Sequence, residues 1–280
     1  MTGNNRPKTI LVTGCSTGIG AYCSRALKAD GWQVIASART AKHIAELEAD
    51  GITAYRLDYA CSASISDFFG HAMEATGGKC DALFNNGGYG QVGAVEDLPV
   101  DALRAQFESN FFGYHDLTRR VIPVMRKQGQ GRIVQCSSIL GLVPMRFRGA
   151  YNASKHALEG LSVTLALELE GSGIHVSLIE PGAIVSQFRA NALRQFHRTI
   201  DIESSVHRKD YQDQLRRLEK QEMSNSGKLG PEAVYRVLHH ALTAPRPRYH
   251  YTVTREARLG VIARRLLPAR LFYPWLARQT

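Results

Sequence analysis

Tyr151 and Lys155 stand four residues apart in the run Tyr151-Asn152-Ala153-Ser154-Lys155, a spacing that puts both side chains on one face of a helix. A free tyrosine, with a pKa of about 10, is a poor base at neutral pH. A neighbouring ammonium favours the phenolate, so the pair makes a usable proton donor and acceptor. Ser138 precedes them, and its hydroxyl can hold a substrate oxygen beside the tyrosine and stabilise the charge that develops there. Tyr-x-x-x-Lys is also a common accidental spacing on solvated helix faces, so its meaning depends on the scaffold around it.

That scaffold reads as α/β. Near-continuous apolar runs at Thr9 to Thr13, Gln33 to Ser37, Thr53 to Leu57, Ala82 to Asn85, Arg132 to Ser137 and His175 to Ile179 suit strands covered on both faces. Helical patterns separate them, including Ile19, Cys23, Ala26 and Leu27, and one major helix expected from Asp101 to Arg126 with Leu103, Phe107, Leu117, Val121 and Val124 inward. Alternating strands and helices imply right-handed crossovers and one Rossmann-type, doubly wound parallel sheet in three layers. A late strand at His250 to Val253 can join the edge. The 280 residues carry no linker-like stretch, so a single domain is expected over the whole chain.

Immediately after the first strand comes Thr13-Gly14-Cys15-Ser16-Thr17-Gly18-Ile19-Gly20. Glycines at such a turn let the backbone approach a pyrophosphate, and the following helix N-terminus offers unpaired N–H groups to its charge. The second strand ends in Ala36-Ser37-Ala38-Arg39-Thr40. An acid there would bind the ribose 2′-hydroxyl of NAD; Arg39 instead offers a planar cation to the 2′-phosphate of NADP. NADP(H) is therefore the preferred cofactor, with NAD(H) as the alternative. Asp58, following the third strand, suits an adenine contact or a helix cap. In Asn85-Asn86-Gly87-Gly88-Tyr89-Gly90 the asparagines can tie strands together while the glycines admit the cofactor's ribose.

Together these pieces resemble the short-chain dehydrogenase/reductase family over roughly residues 8 to 190. The resemblance rests on the TGCSTGIG turn, the NNGG segment, Asn110 in Ser109-Asn110-Phe111-Phe112-Gly113, Ser138, the YNASK motif and Glu180-Pro181-Gly182. It implies that Tyr151 is the general acid/base and that Lys155 lowers its pKa and binds the nicotinamide ribose. It further implies that Ser138 orients the substrate and Asn110 holds a proton-relay water. Cofactor contacts implied in the same way are Gly14, Ser16, Gly18, Ile19, Gly20, Arg39, Asp58, Asn86, Gly87, Tyr151, Lys155 and the backbone from Ile184 to Ser186. Two departures stand out: Gly87 replaces an alanine, which should loosen that loop, and Ser186 replaces a threonine but keeps the hydroxyl. YGQVGAVEDL, LEGLSVTLALELEGSGIHVSLIEPG and the Arg-rich end look most like the steroid- and retinol-handling branch.

A variable substrate region is expected from Gln187 to about Lys228, as a lid or as a solvated excursion. Phe188 and Phe196, with Leu142, Val143 and Met145, suggest an apolar pocket wall and hence a hydrophobic alcohol or carbonyl substrate. From Pro245 to Thr280 there are eight arginines against one acid, Glu256, so most of the net charge of +10 lies in this tail. Its apolar residues from Arg255 onward, interrupted by Pro268 and Pro274, can lie on an anionic membrane or pack against the body or a partner subunit. Basicity confined to one tail, without a recognised module, argues against nucleic-acid binding. The five cysteines are scattered without a CxxC pair, against a disulfide framework or zinc site, and no metal is expected. The short apolar run near Met1 is too brief for a signal or a span, so a cytoplasmic protein, peripheral to a membrane if its tail binds one, is expected. Assembly as a homodimer or homotetramer stays open. The rival function is a catalytically idle NADP(H)-binding sensor.

Overall fold

The computed structural model describes residues 6–222 and 229–278. Seven parallel strands form one sheet in the order β3-β2-β1-β4-β5-β6-β7: β1 (Thr9–Val12), β2 (Gln33–Ala38), β3 (Thr53–Arg56), β4 (Ala82–Asn85), β5 (Gly131–Cys136), β6 (Ile174–Glu180) and β7 (His250–Thr252). Every expected strand is present, with ends moved by about one residue, as fraying hydrogen bonds allow. The strand order reverses between β1 and β4, which makes their C-terminal edges the place where an open parallel sheet binds ligands.

Alternation along each strand assigns the two faces. In β1, Ile10 and Val12 pack with Cys23, Leu27, Val234 and Leu238, from α1 (Gly18–Ala29) and a later helix, Glu232–Thr243. Leu11 points oppositely and packs with Phe68, Leu117 and Val121. Burying each such side chain stabilises the fold by about 1.5–3 kcal/mol, and both faces need cover, which is why Ile10, Leu11 and Val12 are all apolar. On the first face also lies α2 (Ala41–Ala49); on the second, α3 (Ser62–Ala75).

The helix expected from Asp101 to Arg126 is not continuous. It runs as α4 (Val100–Phe107), one π-helical turn over Glu108–Phe112, and α5 (Gly113–Gln128). The π-turn shifts the inward face, so Leu103 and Phe107 are only half-buried while Tyr114 and Met125 join the core. A wide apolar repeat does not encode one inserted residue, and such bulges concentrate at functional sites. Next come α6 (Gly149–Glu168), α7 (Phe188–Thr199), α8 (Arg208–Glu222), α9 (Glu232–Thr243), α10 (Arg255–Leu266) and α11 (Ala269–Ala277).

The N-terminal edge of β1 and β4 is pinned by one carboxylate. Asp81 receives both guanidinium nitrogens of Arg6, at 2.8 and 2.9 Å, the Thr9 backbone N–H at 2.8 Å and the Thr9 hydroxyl at 3.1 Å. Burial alone would raise its pKa, but these donors together with the Arg6 charge hold it below the usual range. A depressed pKa contributes stability that is present above the unfolded pKa and lost as pH falls through the folded value. Asp81→Asn is therefore expected to cost about 1–3 kcal/mol at pH 7, measured by urea unfolding. The deficit should shrink below about pH 4, the ordinary aspartate range; a deficit independent of pH would exclude the charge-assisted role.

Candidate active site

Thr13 ends β1 and organises the ligand-binding edge. Its hydroxyl oxygen accepts from the Asn86 and Gly87 backbone N–H groups at 2.8 and 3.1 Å and from the Tyr59 hydroxyl at 2.8 Å. Asn86 returns the tie by donating from Nδ2 to the Thr13 carbonyl at 3.0 Å. Asn85, fully buried, spans the sheet toward Gln135 and Thr118 at 2.9 and 3.0 Å. The asparagines thus do hold neighbouring elements together. Thr13 and Tyr59 carry the clasp with them and escaped the sequence reading, although a threonine just before the Gly-rich turn was a usable signal.

Two glycines show why this edge can admit a flat, charged ligand. Gly14 has φ +68°, and a Cβ there would lie 2.4 Å from the Gly87 Cα. Gly18 has φ +58°, and its Cβ would lie 2.9 Å from the Ser186 Cβ. Both conformations suit glycine, and both loops would be forced apart by a methyl group. A Cβ on Gly87 would itself sit 3.3 Å from Gly14, so the missing alanine methyl permits a closer approach of two loops rather than a looser one. Thr17, Gly18, Ile184, Val185 and Ser186 line an open cavity of about 1040 Å³ with α1 residues Tyr22 and Arg25. Thr17 and Gly18 bring the N-terminus of α1 to its wall, a fitting cradle for a dinucleotide's pyrophosphate.

Ser16 is half-buried in the same turn, Gly20 is buried, and Ile19 packs against the core together with Ile184. Arg39 is exposed at the end of β2, close enough for its charge to act on Tyr89. Asp58 uses Oδ1 to accept from the Ala60 N–H at 3.1 Å, a local turn contact ahead of α3, whose N-cap is Cys61.

Ser138, Tyr151 and Lys155 converge beyond the end of β5. They are 8%, 8% and 3% exposed, so their polar atoms must be paired or addressed to a ligand. Lys155 donates from Nζ to the Cys136 carbonyl at 2.7 Å and lies over the Tyr114 and Tyr151 rings at 4.9 and 5.9 Å from their centroids. Burial lowers its pKa to about 8, against the partial offset of Cys136 and Glu159. Ser138 accepts from the Leu140 N–H at 3.1 Å, and its hydroxyl lies in hydrogen-bonding reach of the Tyr151 phenol.

The expected depression of the Tyr151 pKa is absent in this state. Burial pushes the phenol above its ordinary value, and the contact with Ser138 offsets only part of that rise. The direction of the shift favours the protonated phenol, the form that can donate.

Asn110, in the π-turn, is fully buried and grips the backbone of Tyr89, accepting from its N–H at 3.2 Å and donating to its carbonyl at 2.9 Å. Its side chain is thereby committed to the Gly88–Tyr89 loop. Phe188 lies edge-on to Tyr151 with centroids 5.4 Å apart. Phe196 does not line the pocket. It is 2% exposed and packs with Val92, Ala94, Ala192, Ile200 and Tyr211 in a separate apolar cluster.

Behind Lys155, Glu159, Glu180 and His250 converge with donor atoms within 4.8 Å, the one such grouping among the described residues. His250 and Glu180 pair at 2.7 Å, while the Glu159 carboxylate lies 3.6 Å from the same imidazole. Burial beside Glu180 pushes the Glu159 carboxyl upward, against the Ser137 hydroxyl, His250 and Lys155. Its three members come from α6, β6 and β7, so no local motif announced them.

The short chain dehydrogenase family model matches residues 8–196. The chain is 35% identical over 271 residues to an uncharacterized oxidoreductase, YbbO, of Escherichia coli K12, covering 97% of this chain and 94% of that protein. It is 37% identical over 199 residues to human retinol dehydrogenase 8, covering 68% of this chain and 63% of that protein. A short-chain dehydrogenase/reductase from Burkholderia phymatum, solved in complex with NAD, superposes with a TM-score of 0.80 at 25% identity over 94% of this chain and 95% of that one. With a phosphate cradle, a buried serine–tyrosine–lysine set and these relatives, the chain belongs to the short-chain dehydrogenase/reductase family, oxidoreductases that act on CH–OH donors with a nicotinamide dinucleotide.

Proposed function

We propose that this enzyme interconverts a hydrophobic secondary alcohol and ketone, or a primary alcohol and aldehyde, and that it prefers NADP(H). The observation that carries the reading is the joint burial of Ser138, Tyr151 and Lys155 beside a glycine turn that leaves room for a dinucleotide. When bound, the reduced nicotinamide supplies the hydride.

In the reducing direction the substrate oxygen sits between the Ser138 hydroxyl and the Tyr151 phenol. Ser138 steadies the charge that develops on that oxygen, and Tyr151 passes its Oη proton to it as the carbonyl carbon gains the hydride. The upward push on the Tyr151 pKa keeps this proton in place at neutral pH. Lys155, held by the Cys136 carbonyl, stabilises the phenolate left behind and can turn toward the nicotinamide ribose. Asn110 is a positioning residue that fixes the Tyr89 loop. In oxidation the same atoms run in reverse, so the phenol must first lose its proton.

The apolar wall supports a hydrophobic substrate. Phe188 meets the Tyr151 ring edge-on; on this reading Leu142, Val143 and Met145 complete the wall and the region after Ser186 serves as a lid. α7 and α8 are tied down at a distance from the chemistry: the Tyr211 hydroxyl donates to Asp97 at 2.5 Å and accepts from the Ala94 N–H at 2.7 Å. His207 pairs with Glu96 at 2.6 Å. Such anchors suit a hinged cover better than a solvated excursion. The expected end of this region near Lys228 lies outside the described residues.

Arg39 is exposed, with no acid at the end of β2, which supports recognition of a 2′-phosphate. Arg39→Ala should weaken NADPH binding by about tenfold to a hundredfold, the worth of a charge-assisted hydrogen bond, with little effect on NADH. Fluorescence titration of both cofactors checks this, and equal losses would remove the phosphate role. Tyr151→Phe should lower turnover of hydrophobic ketones by at least about 10²-fold while leaving NADPH affinity nearly unchanged. Retained turnover would remove Tyr151 from proton transfer.

A further inference from the structure

α10 and α11 are attached to the body by few residues. Ala257 and Phe272 are buried, at 3% and 1% exposure, and the Thr254 side chain caps α10 by accepting from the Ala257 N–H. The outward side is apolar. Leu259, Ile262 and Leu266, spaced by three and four residues on one face, are 66%, 51% and 75% exposed. Leu267, Leu271 and Trp275 continue the patch across Pro268 into α11, all exposed. Arg255, Arg258, Arg264, Arg265 and Arg270 border it, with Glu256 the only acid in either helix.

Three occupants were open from sequence: the body, a second copy and a membrane. Ala257 and Phe272 are already buried, and α10 meets the body on another side at Gly260, where a Cβ would lie 3.8 Å from Val143. A two-fold contact between copies of this face would set each cluster of arginines against the other with almost no acid to pair them. An anionic bilayer satisfies both features at once. Arginine side chains reach phosphate level while leucines and Trp275 enter the boundary with the acyl chains. Both helices are short, and none among the described residues is long and apolar enough to cross a membrane, so the pair lies in the interface plane.

We propose that α10 and α11 form a docking surface for an anionic lipid bilayer. The surface adjoins the pocket: a Cβ on Gly260 would lie 3.8 Å from Val143, one of the residues assigned to the apolar wall. Docking therefore sets α10, the helix that covers Val143, against the lipid, from which a hydrophobic substrate would enter past its edge. This last link rests on the substrate reading above, whereas docking itself does not.

Sedimentation of the full-length protein with vesicles of phosphatidylcholine, with and without phosphatidylserine, tests the surface. Binding is expected to be at least about tenfold tighter with phosphatidylserine and to fall with added salt. The double variant Leu266→Asp, Leu271→Asp should abolish sedimentation with vesicles yet keep the melting temperature and NADPH binding, because both positions are exposed. Arg264→Ala with Arg265→Ala and Arg270→Ala should remove the preference for phosphatidylserine. No binding to either vesicle overturns the proposal. So does a Leu266, Leu271 variant that only dissociates an oligomer in analytical ultracentrifugation, which would make the face a contact between copies. Since Tyr151→Phe should sediment as the parent does, loss of catalysis and loss of docking are read separately.

Discussion

The Thr13 hydroxyl is the junction on which the ligand-binding edge depends. It gathers the backbone of Asn86 and Gly87 and the phenol of Tyr59, so the loops after β1 and β4 are held against each other where the strand order reverses. Helix termini and parallel strand ends leave backbone groups without partners, and a buried edge of this kind needs side chains to satisfy them. Once the loops are pinned, glycine becomes obligatory at Gly14, because any side chain would strike Gly87. The phosphate cradle and the polar clasp are thus one structural solution.

The second constraint is the isolated ammonium of Lys155. A charge this deeply buried is costly, and it is met by one carbonyl, two aromatic faces and a carboxylate one helical turn on. The consequence is a pair whose protonation states are set by burial as much as by each other: the lysine is pulled down and the tyrosine pushed up. Proximity on a helix face favours a phenolate, but desolvation of the phenol outweighs it. The π-turn carrying Asn110 serves the same site by fixing the Tyr89 loop, at the expense of a regular helix.

The substrate side follows a different logic. Its apolar cluster of Phe196, Tyr211 and their neighbours is separate from the sheet core, so this region has its own packing and its own polar anchors at Asp97 and Ala94. Phe188 reaches the tyrosine from this region. A small independent cluster allows a cover to move without unfolding the sheet, since the energy of opening is confined to contacts it makes itself.

Much was legible in the residues because it is local. Unbroken apolar runs mark parallel strands, a Gly-rich turn between strand and helix marks a phosphate cradle, and Tyr151 and Lys155 share a face wherever a helix forms. The order of motifs along the chain carries the family. Only the tertiary structure decided what depends on distant partners: the break of the long helix at Asn110, the burial of Phe196 away from the pocket, the direction of the Tyr151 shift, and the meeting of Glu159, Glu180 and His250 from three separate elements. The orientation of the final helices belongs with these, because an amphipathic pattern states that one face is apolar but not whether protein or water meets it. Side-chain spacing is a property of the chain, whereas desolvation and long-range pairing exist only after the chain has folded.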